Sequence, residues 1–327
     1  MDPQRLALEA ERLLPLARSA LDRYSFTVKS LDHLATHSNV LYRVTTGDGQ
    51  QFVLRVGAAD ASARNHIETE VAWLTALSRD TDLDVVRPIP TGYGTLIVEM
   101  LDPDGKARRC VLFSWIPGSP LTAESGTVGF RLLGRLSASL HLHGAEWRPP
   151  DPTRMRGWDR VFYHDQTVDP VIIGESRFDH IFTKSVRTVI GRAGARAERT
   201  VAHEWSSGDR QVVHGDLHEW NVHLAGSRIY AFDFEDVMMA TRAQDISISL
   251  YSSRSSPMVR ELRGAFQRGY EEVSDWPAID DERIDSFHAA RQIMLMNYAA
   301  RSLPTAEASS YVGQVMPWLE GYVAQYC

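Results

Sequence analysis

The sequence predicts an α+β protein of two lobes, a small β-rich N-terminal lobe (residues 1–116) followed by a larger α-helical C-terminal lobe (residues 117–327). Two observations point to it. Between residues 25 and 116 the apolar residues fall in short β-branched and aromatic runs separated by turn signals. Beyond "IPGSP" they recur instead at three- and four-residue spacing over long stretches. At 327 residues, 43% of them hydrophobic, the chain is long enough for each lobe to bury a core of its own.

The first element is a helix over residues 4–21, where Leu6, Leu13, Leu14, Leu16, Ala17 and Leu21 recur at helical spacing. "TVKSLDHLA", "VLYRVTT" and "QQFVLRV" read as three strands, the last two joined by the hairpin signal "GDGQ". "ASARNHIETEVAWLTALSRD" returns to helical period. "VVRPIP", "GTLIVEM" and "RRCVLFSW" read as strands, the last two turned by "DPDGK". In the second lobe "VGFRLLGRLSASLHLHG", "FDHIFTKSVRTVIGR", "DISISLYSS", "MVRELRGAFQRGYEEV" and "DERIDSFHAARQIMLMNYAARSL" read as helices. They are interrupted by "QVVHGD" and "NVHLAGSRIYAFDF", which suggest paired short strands.

Composition excludes several function classes. Lys and Arg number 35 against 42 Asp and Glu, a formal charge of −7, so nucleic acid and anionic membranes find no electrostatic footprint. Two cysteines, Cys110 and Cys327, are too few for a disulfide framework or a cysteine zinc site and fit a reducing compartment. The N-terminus lacks the basic start and apolar run of a signal peptide, and no apolar run approaches the roughly 20 residues that span a bilayer. The expected location is the cytoplasm.

Three chemistries compete for "VVHGDLHEWNVHL", residues 212–224. A hydrolytic metal site would use His214, Asp216, His218 and His223. The step from His218 to His223 is five, however, which puts the rings on different faces of a helix. The second reading is a polar loop with one internally satisfied histidine. The third is a phosphoryl-transfer loop, His-Gly-Asp-x-x-x-x-Asn. There Asp216 accepts the proton of a hydroxyl nucleophile, and Asn221, five residues on, turns back to ligate nucleotide-bound Mg²⁺. Twelve residues past Asn221, "IYAFDFED" runs an apolar strand into Asp233, a carboxylate placed for the main Mg²⁺ ligand.

"HGDLHEWN" followed by "FDFED" resembles the signature pair of the aminoglycoside phosphotransferase and choline–homoserine kinase-like superfamily, which has a protein-kinase-like fold. The lobe order agrees, and the resemblance covers roughly residues 25–300. It implies an ATP-dependent (or GTP-dependent) phosphotransferase with Asp216 as base and Asn221 and Asp233 as Mg ligands. His214 and His218 become loop supports. Asp245 in "RAQDIS" matches a family aspartate at a helix start, where an N-cap is the physical default.

On the nucleotide lobe the resemblance assigns Arg55 of "QFVLRV" to the α/β-phosphates, its fork suited to bidentate contact. Of Glu68 and Glu70, the spacing to Leu74 and Leu77 favours Glu70 as its partner. "THSNVLYRV" contains no glycine and offers Ser38 and Asn39 to phosphate. "VLFSWIPG" resembles the hinge, with the Ser114 carbonyl and Ile116 N–H pairing with adenine, Phe113 walling the pocket and Gly118 letting the chain turn.

For the acceptor the expectation is a small-molecule hydroxyl, with a bacterial Ser/Thr protein kinase and a nucleotide-binding pseudokinase as alternatives. Asp280, Asp281, Glu282 and Asp285 would suit a cationic substrate, yet a solvated helix start explains them as well. Trp147, Trp158, Phe162 and Tyr163 read as core or lid more readily than as a ligand platform. Oligomeric state stays open.

Overall fold

The computed structural model describes residues 3–59, 63–122, 125–167 and 169–327. They form an α+β fold whose β-sheet lies in the N-terminal region and whose C-terminal region is mostly helical. Two compact units result. The first holds residues 1–119 together with 149–155 and 223–236, and the second holds 120–148, 156–222 and 237–327. The sequence predicts a single cut after residue 116. The first unit instead recruits the 223–236 segment, because Val86 and Ala231 donate backbone hydrogen bonds to Ala231 and Asp84 at 2.9 Å each.

In the first unit, α1 (Pro3–Leu21) precedes β1 (Val28–Thr36), β2 (Val40–Thr46), β3 (Gln51–Val56), α2 (Ala63–Asp80), β4 (Val98–Leu101) and β5 (Ala107–Ser114). The five strands make one antiparallel sheet in the order β1-β2-β3-β5-β4. The hydrophobic face of α1 (Leu13, Leu16, Ala17, Ala20) packs with Val40, Tyr42, Val44, Leu54, Val56, Cys110 and Leu112 into one core. Residues 85–90, read as a strand from their β-branched start, make only isolated bridges, Val85 to Ala231 and Pro88 to Phe113. Pro88 and Pro90 have no N–H to give a ladder, which accounts for the difference. A two-residue strand, β6 (Ser119–Pro120), follows.

The second unit contains α3 (Gly126–Glu146), α4 (Lys184–Ser207) and β7 (Arg210–Val213). The hairpin strands β8 (Val222–Ala225) and β9 (Arg228–Ala231) lie almost wholly in the first unit. The chain then returns through β10 (Met238–Thr241), α5 (Arg242–Leu250), α6 (Val259–Glu271), α7 (Asp281–Ser302) and α8 (Thr305–Tyr326). Strand β10 pairs antiparallel with β7, Met238 opposite Val213. Trp158 and Phe287 centre a core with α4, α7 and α8, and Phe162 and Tyr163 pack against it, as the core reading of these aromatics expected.

Two helical stretches escape the sequence pattern. One is the second half of α4; the other is the whole of α8, which Gly313, Pro317 and Gly321 disguise. Among the described residues no helix is long and apolar enough to cross a membrane.

Candidate active site

Strand periodicity builds the cavity of the first unit. Alternate side chains of β2, β3 and β5 face opposite sides of the sheet. The α1 side takes Tyr42, Leu54 and Leu112. The other side takes Leu41, Val53, Arg55 and Phe113, which line a cavity of about 300 Å³. Register sets these neighbours side by side, with Leu41 opposite Arg55 and Val53 opposite Phe113.

Arg55 reaches α2 and forms a bidentate pair with Glu70, Nη1 to Oε1 at 2.9 Å and Nη2 to Oε2. Both are buried, and the guanidinium lies 5.0 Å from the centre of the Phe113 ring. Burial pushes the Glu70 carboxyl up from its usual range, and the Arg55 guanidinium pulls it back. A buried pair of this kind is expensive to break from one side, because the survivor keeps an uncompensated charge.

Three residues along α2 from Glu70, Trp73 packs edge-on against Phe234 at 5.5 Å. Phe234 is fully buried and anchors the turn that carries Asp233. Asp233 has φ of +62°, the only non-glycine positive φ among the described residues. An L residue is held there at a cost of about 1–2 kcal/mol, and such strain clusters at functional positions.

Ser38, Asn39, Asp233 and Glu235 also line the cavity. The Asn39 amide is committed: it donates to Glu235 Oε2 at 2.7 Å and accepts from the Ala58 N–H at 3.3 Å. It therefore braces the β1–β2 loop, a role the sequence did not suggest. Val86, Ser114, Ile116, His223 and Phe232 complete the lining. The Ser114 N–H donates to the Arg87 carbonyl at 2.8 Å, and its hydroxyl accepts from the Arg87 N–H at 3.0 Å. His223, weighed in the sequence only as a metal ligand, stands edge-on to Phe232 at 4.9 Å, with burial pushing its pKa down. Gly118 turns the chain at φ of +88°, and a Cβ there would meet the Leu224 carbonyl oxygen at 2.1 Å.

The second unit supplies a loop built around Asp216. Gly215 takes φ of +80°, open to glycine without strain, and its N–H donates to Asp245 Oδ1 at 2.9 Å. Asp245 is fully buried, and its other oxygen holds His141 Nε2 at 2.9 Å while His141 Nδ1 meets the Tyr270 hydroxyl at 2.9 Å. The N-cap expected of Asp245 is thus corrected. Thr241 caps α5 in a capping box with Gln244, and Asp245, one residue further in, points at the loop instead.

His214 is fully buried, and its Nδ1 accepts the Asp216 N–H at 3.3 Å, fixing the backbone on either side of Gly215. His218 Nδ1 accepts the Trp220 N–H at 3.1 Å, so its proton sits on Nε2, which faces Asp216 Oδ2 at 3.3 Å. Asn221 Nδ2 donates at 2.9 Å both to Asp216 Oδ2 and to the Asp216 carbonyl. With the nitrogen so committed, Oδ1 is the Asn221 atom left for a cation.

Arg291 of α7, 75 residues away in sequence, donates to Asp216 Oδ1. Burial opposes ionisation of Asp216, yet the Arg291 charge and the His218 bond outweigh it and hold the carboxyl well below the usual carboxylate range.

The acidic segment at the start of α7 is occupied. The Asp280 side chain caps the helix, accepting from the Arg283 N–H; Asp281 and Asp285 take the two arms of Arg263, and Glu282 binds Arg196. Among the described residues no three His, Cys, Asp or Glu side chains are grouped to hold a metal. The Asn221 amide oxygen in the second unit and the Asp233 carboxylate in the first are, each by itself, donors of the type a hard cation takes.

The family model for the phosphotransferase enzyme family matches residues 33–281, and the chain belongs to that family. It is accordingly an enzyme of the phosphotransferase class. Its sequence is similar to amicoumacin kinase of Bacillus subtilis (strain 168), 23% identical over 267 residues covering 78% of this chain and 75% of that one. Its fold is similar to that of a microcompartment-associated aminopropanol kinase, with a TM-score of 0.78, 25% identity and coverage of 95% and 98% of the two chains. An amicoumacin kinase in complex with AMP-PNP, Ca²⁺ and Ami shares the fold at a TM-score of 0.75 and 19% identity over 99% and 96%.

Proposed function

We propose that the protein transfers the γ-phosphoryl group of ATP to a hydroxyl of a small molecule. Asp216 acts as base, and Asn221 and Asp233 hold Mg²⁺. The observation that supports this best is the Asp216 carboxylate itself, ionised and aimed by Arg291, His218 and Asn221. The acceptor oxygen bonds to the γ-phosphorus and the bond to the bridging oxygen breaks. ADP leaves with that electron pair, and the hydroxyl proton passes to Asp216. A bound divalent ion would neutralise charge on the phosphates.

The N-terminal lobe binds the nucleotide. Arg55, oriented by Glu70, grips phosphate; Ser38 contacts phosphate, and Asn39 holds the loop in place for it. Phe113, Ser114 and Ile116 form the adenine wall. ATP rather than GTP is supported by the AMP-PNP bound to the similar amicoumacin kinase. The C-terminal lobe binds the acceptor.

Arg55→Lys keeps the charge beside Glu70 but loses the fork. Its KM for ATP rises about tenfold, the loss of one charge-assisted hydrogen bond, and the KM for acceptor stays put in a coupled ADP-release assay. A larger shift in the acceptor KM would move Arg55 to a substrate role.

Asp233→Gly and Asp233→Ala separate strain from chemistry. Both abolish the thermal stabilisation that Mg²⁺ adds to ATP. Without ligand, the alanine variant is less stable than the glycine variant by about 1 kcal/mol, because only glycine accepts φ of +62° freely. Mg²⁺-dependent stabilisation retained in either variant would remove Asp233 from the metal site.

The activity itself is tested by ADP release over a panel of alcohols, amino alcohols, sugars and a generic protein. Turnover of the protein alone would establish the protein-kinase alternative, and MgATP binding without turnover of any acceptor the pseudokinase.

A further inference from the structure

Beside Asp216 the second unit holds two guanidiniums, of which only one has a carboxylate partner among the described residues. Arg254, in the turn after α5, has no carboxylate within ion-pair distance among the described residues. Its Nη1 donates to the Tyr251 carbonyl at 2.9 Å and its Nη2 to Gln292 Oε1. The guanidinium lies 3.8 Å from the Tyr251 ring centre and 5.4 Å from that of Trp318, so it is clamped between aromatic walls. Arg291 lies 5.5 Å from the same Tyr251 ring.

Two guanidiniums thus share one tyrosine, and Asp216 is the one carboxylate that either touches among the described residues. The Nε of Arg254 and the Nε of Arg291 are both buried with no acceptor. Burial, with repulsion from Arg291, works against the charge on Arg254. A buried donor without an acceptor is a standing cost that a bound anion removes. The carboxylates that open α7 are held by Arg263 and Arg196, and Glu219, beside the same turn, accepts from the Ser252 hydroxyl at 2.7 Å.

We infer that Arg254 and Arg291 recognise an anionic group, carboxylate or phosphate, on the acceptor alcohol. The inference rests on Asp216 being the base. The seated anion then fixes the acceptor so that its hydroxyl lies against Asp216.

The test uses acceptors that differ in one group. Lactate, 1,2-propanediol and 1-amino-2-propanol share a secondary hydroxyl beside a carboxylate, a hydroxymethyl or an aminomethyl group, and glycerol 3-phosphate supplies the phosphate arm. In coupled ADP release, lactate or glycerol 3-phosphate gives a kcat/KM about 10- to 100-fold above that of 1-amino-2-propanol, the scale of charge-assisted hydrogen bonds; whichever anion leads identifies the group. Arg254→Gln erases that preference, Arg254→Lys keeps part of it, and both keep MgATP stabilisation.

A preference for 1-amino-2-propanol or 1,2-propanediol overturns the inference, as does an anion preference that survives Arg254→Gln. In either case turnover that disappears in Asp216→Asn leaves the kinase reading standing. If no acceptor turns over, calorimetry with Mg²⁺ and AMP-PNP present decides. Binding of lactate or glycerol 3-phosphate that is lost in Arg254→Gln upholds the anion site, and absence of such binding overturns it.

Discussion

Asp216→Asn lowers kcat by about 10²- to 10⁴-fold, the share that a positioned general base contributes, while the affinity for MgATP changes little. The substitution keeps the shape of the side chain, and the amide oxygen still accepts from Arg291. What is lost is the ability to take a proton. The measurement is kcat by coupled ADP release beside nucleotide affinity by thermal shift, and activity within tenfold of wild type would remove Asp216 as base. The pH dependence follows from the same contacts. A carboxyl held below its usual value stays ionised as pH falls through the ordinary carboxylate range, so the base itself sets no acid limit there in the free enzyme. The stability this ion pair provides is likewise present above the unfolded pKa and is lost only as pH falls through the depressed folded value.

Asp245→Ala has the largest expected effect on folding, a loss of about 3–5 kcal/mol in urea denaturation, the scale of breaking a buried charged contact from one side. It strands the Gly215 N–H and His141 Nε2 in a fully buried setting. Asp245→Asn costs less. Its oxygen still accepts from Gly215, and the imidazole can exchange tautomers because the Tyr270 hydroxyl on its other nitrogen both donates and accepts. Both variants also lose turnover, since Gly215 fixes the backbone that presents Asp216. Equal stability of wild type and Asp245→Ala would show that the loop does not depend on this anchor.

The fold class was legible because the two periods it rests on differ sharply: alternation in β2 and β3, three-and-four spacing in α3 and α7. The Asp216–Asn221–Asp233 spacing was legible because one short segment holds all three. Alternation could have carried the reading further, since Val53, two residues before Arg55 on the same strand face, lines the same cavity. Asp245 was misplaced although its correction is written locally, as Thr241 and Gln244 form a readable T-x-x-Q box. Arg254 and Arg291 were beyond reach. They are two among 35 basic residues, and their meaning comes from Tyr251 and Asp216, which only the packing of α7 against the α5 end brings near. Helix α8 was hidden because tertiary burial of Val312, Leu319 and Tyr322 overrides a glycine- and proline-containing sequence.

The two cysteines fall one to each unit, in opposite surroundings. Cys327 is exposed at the end of α8, and Cys110 is fully buried on β5, where burial pushes its thiol up to about 12. Thiols react as thiolates, so a maleimide consumes Cys327 at once and reaches Cys110 only in molecules whose N-terminal sheet has opened. The slow phase of alkylation is therefore a clock for the opening of the N-terminal sheet alone, and its lengthening with MgATP would measure ligand grip on that sheet without any introduced probe.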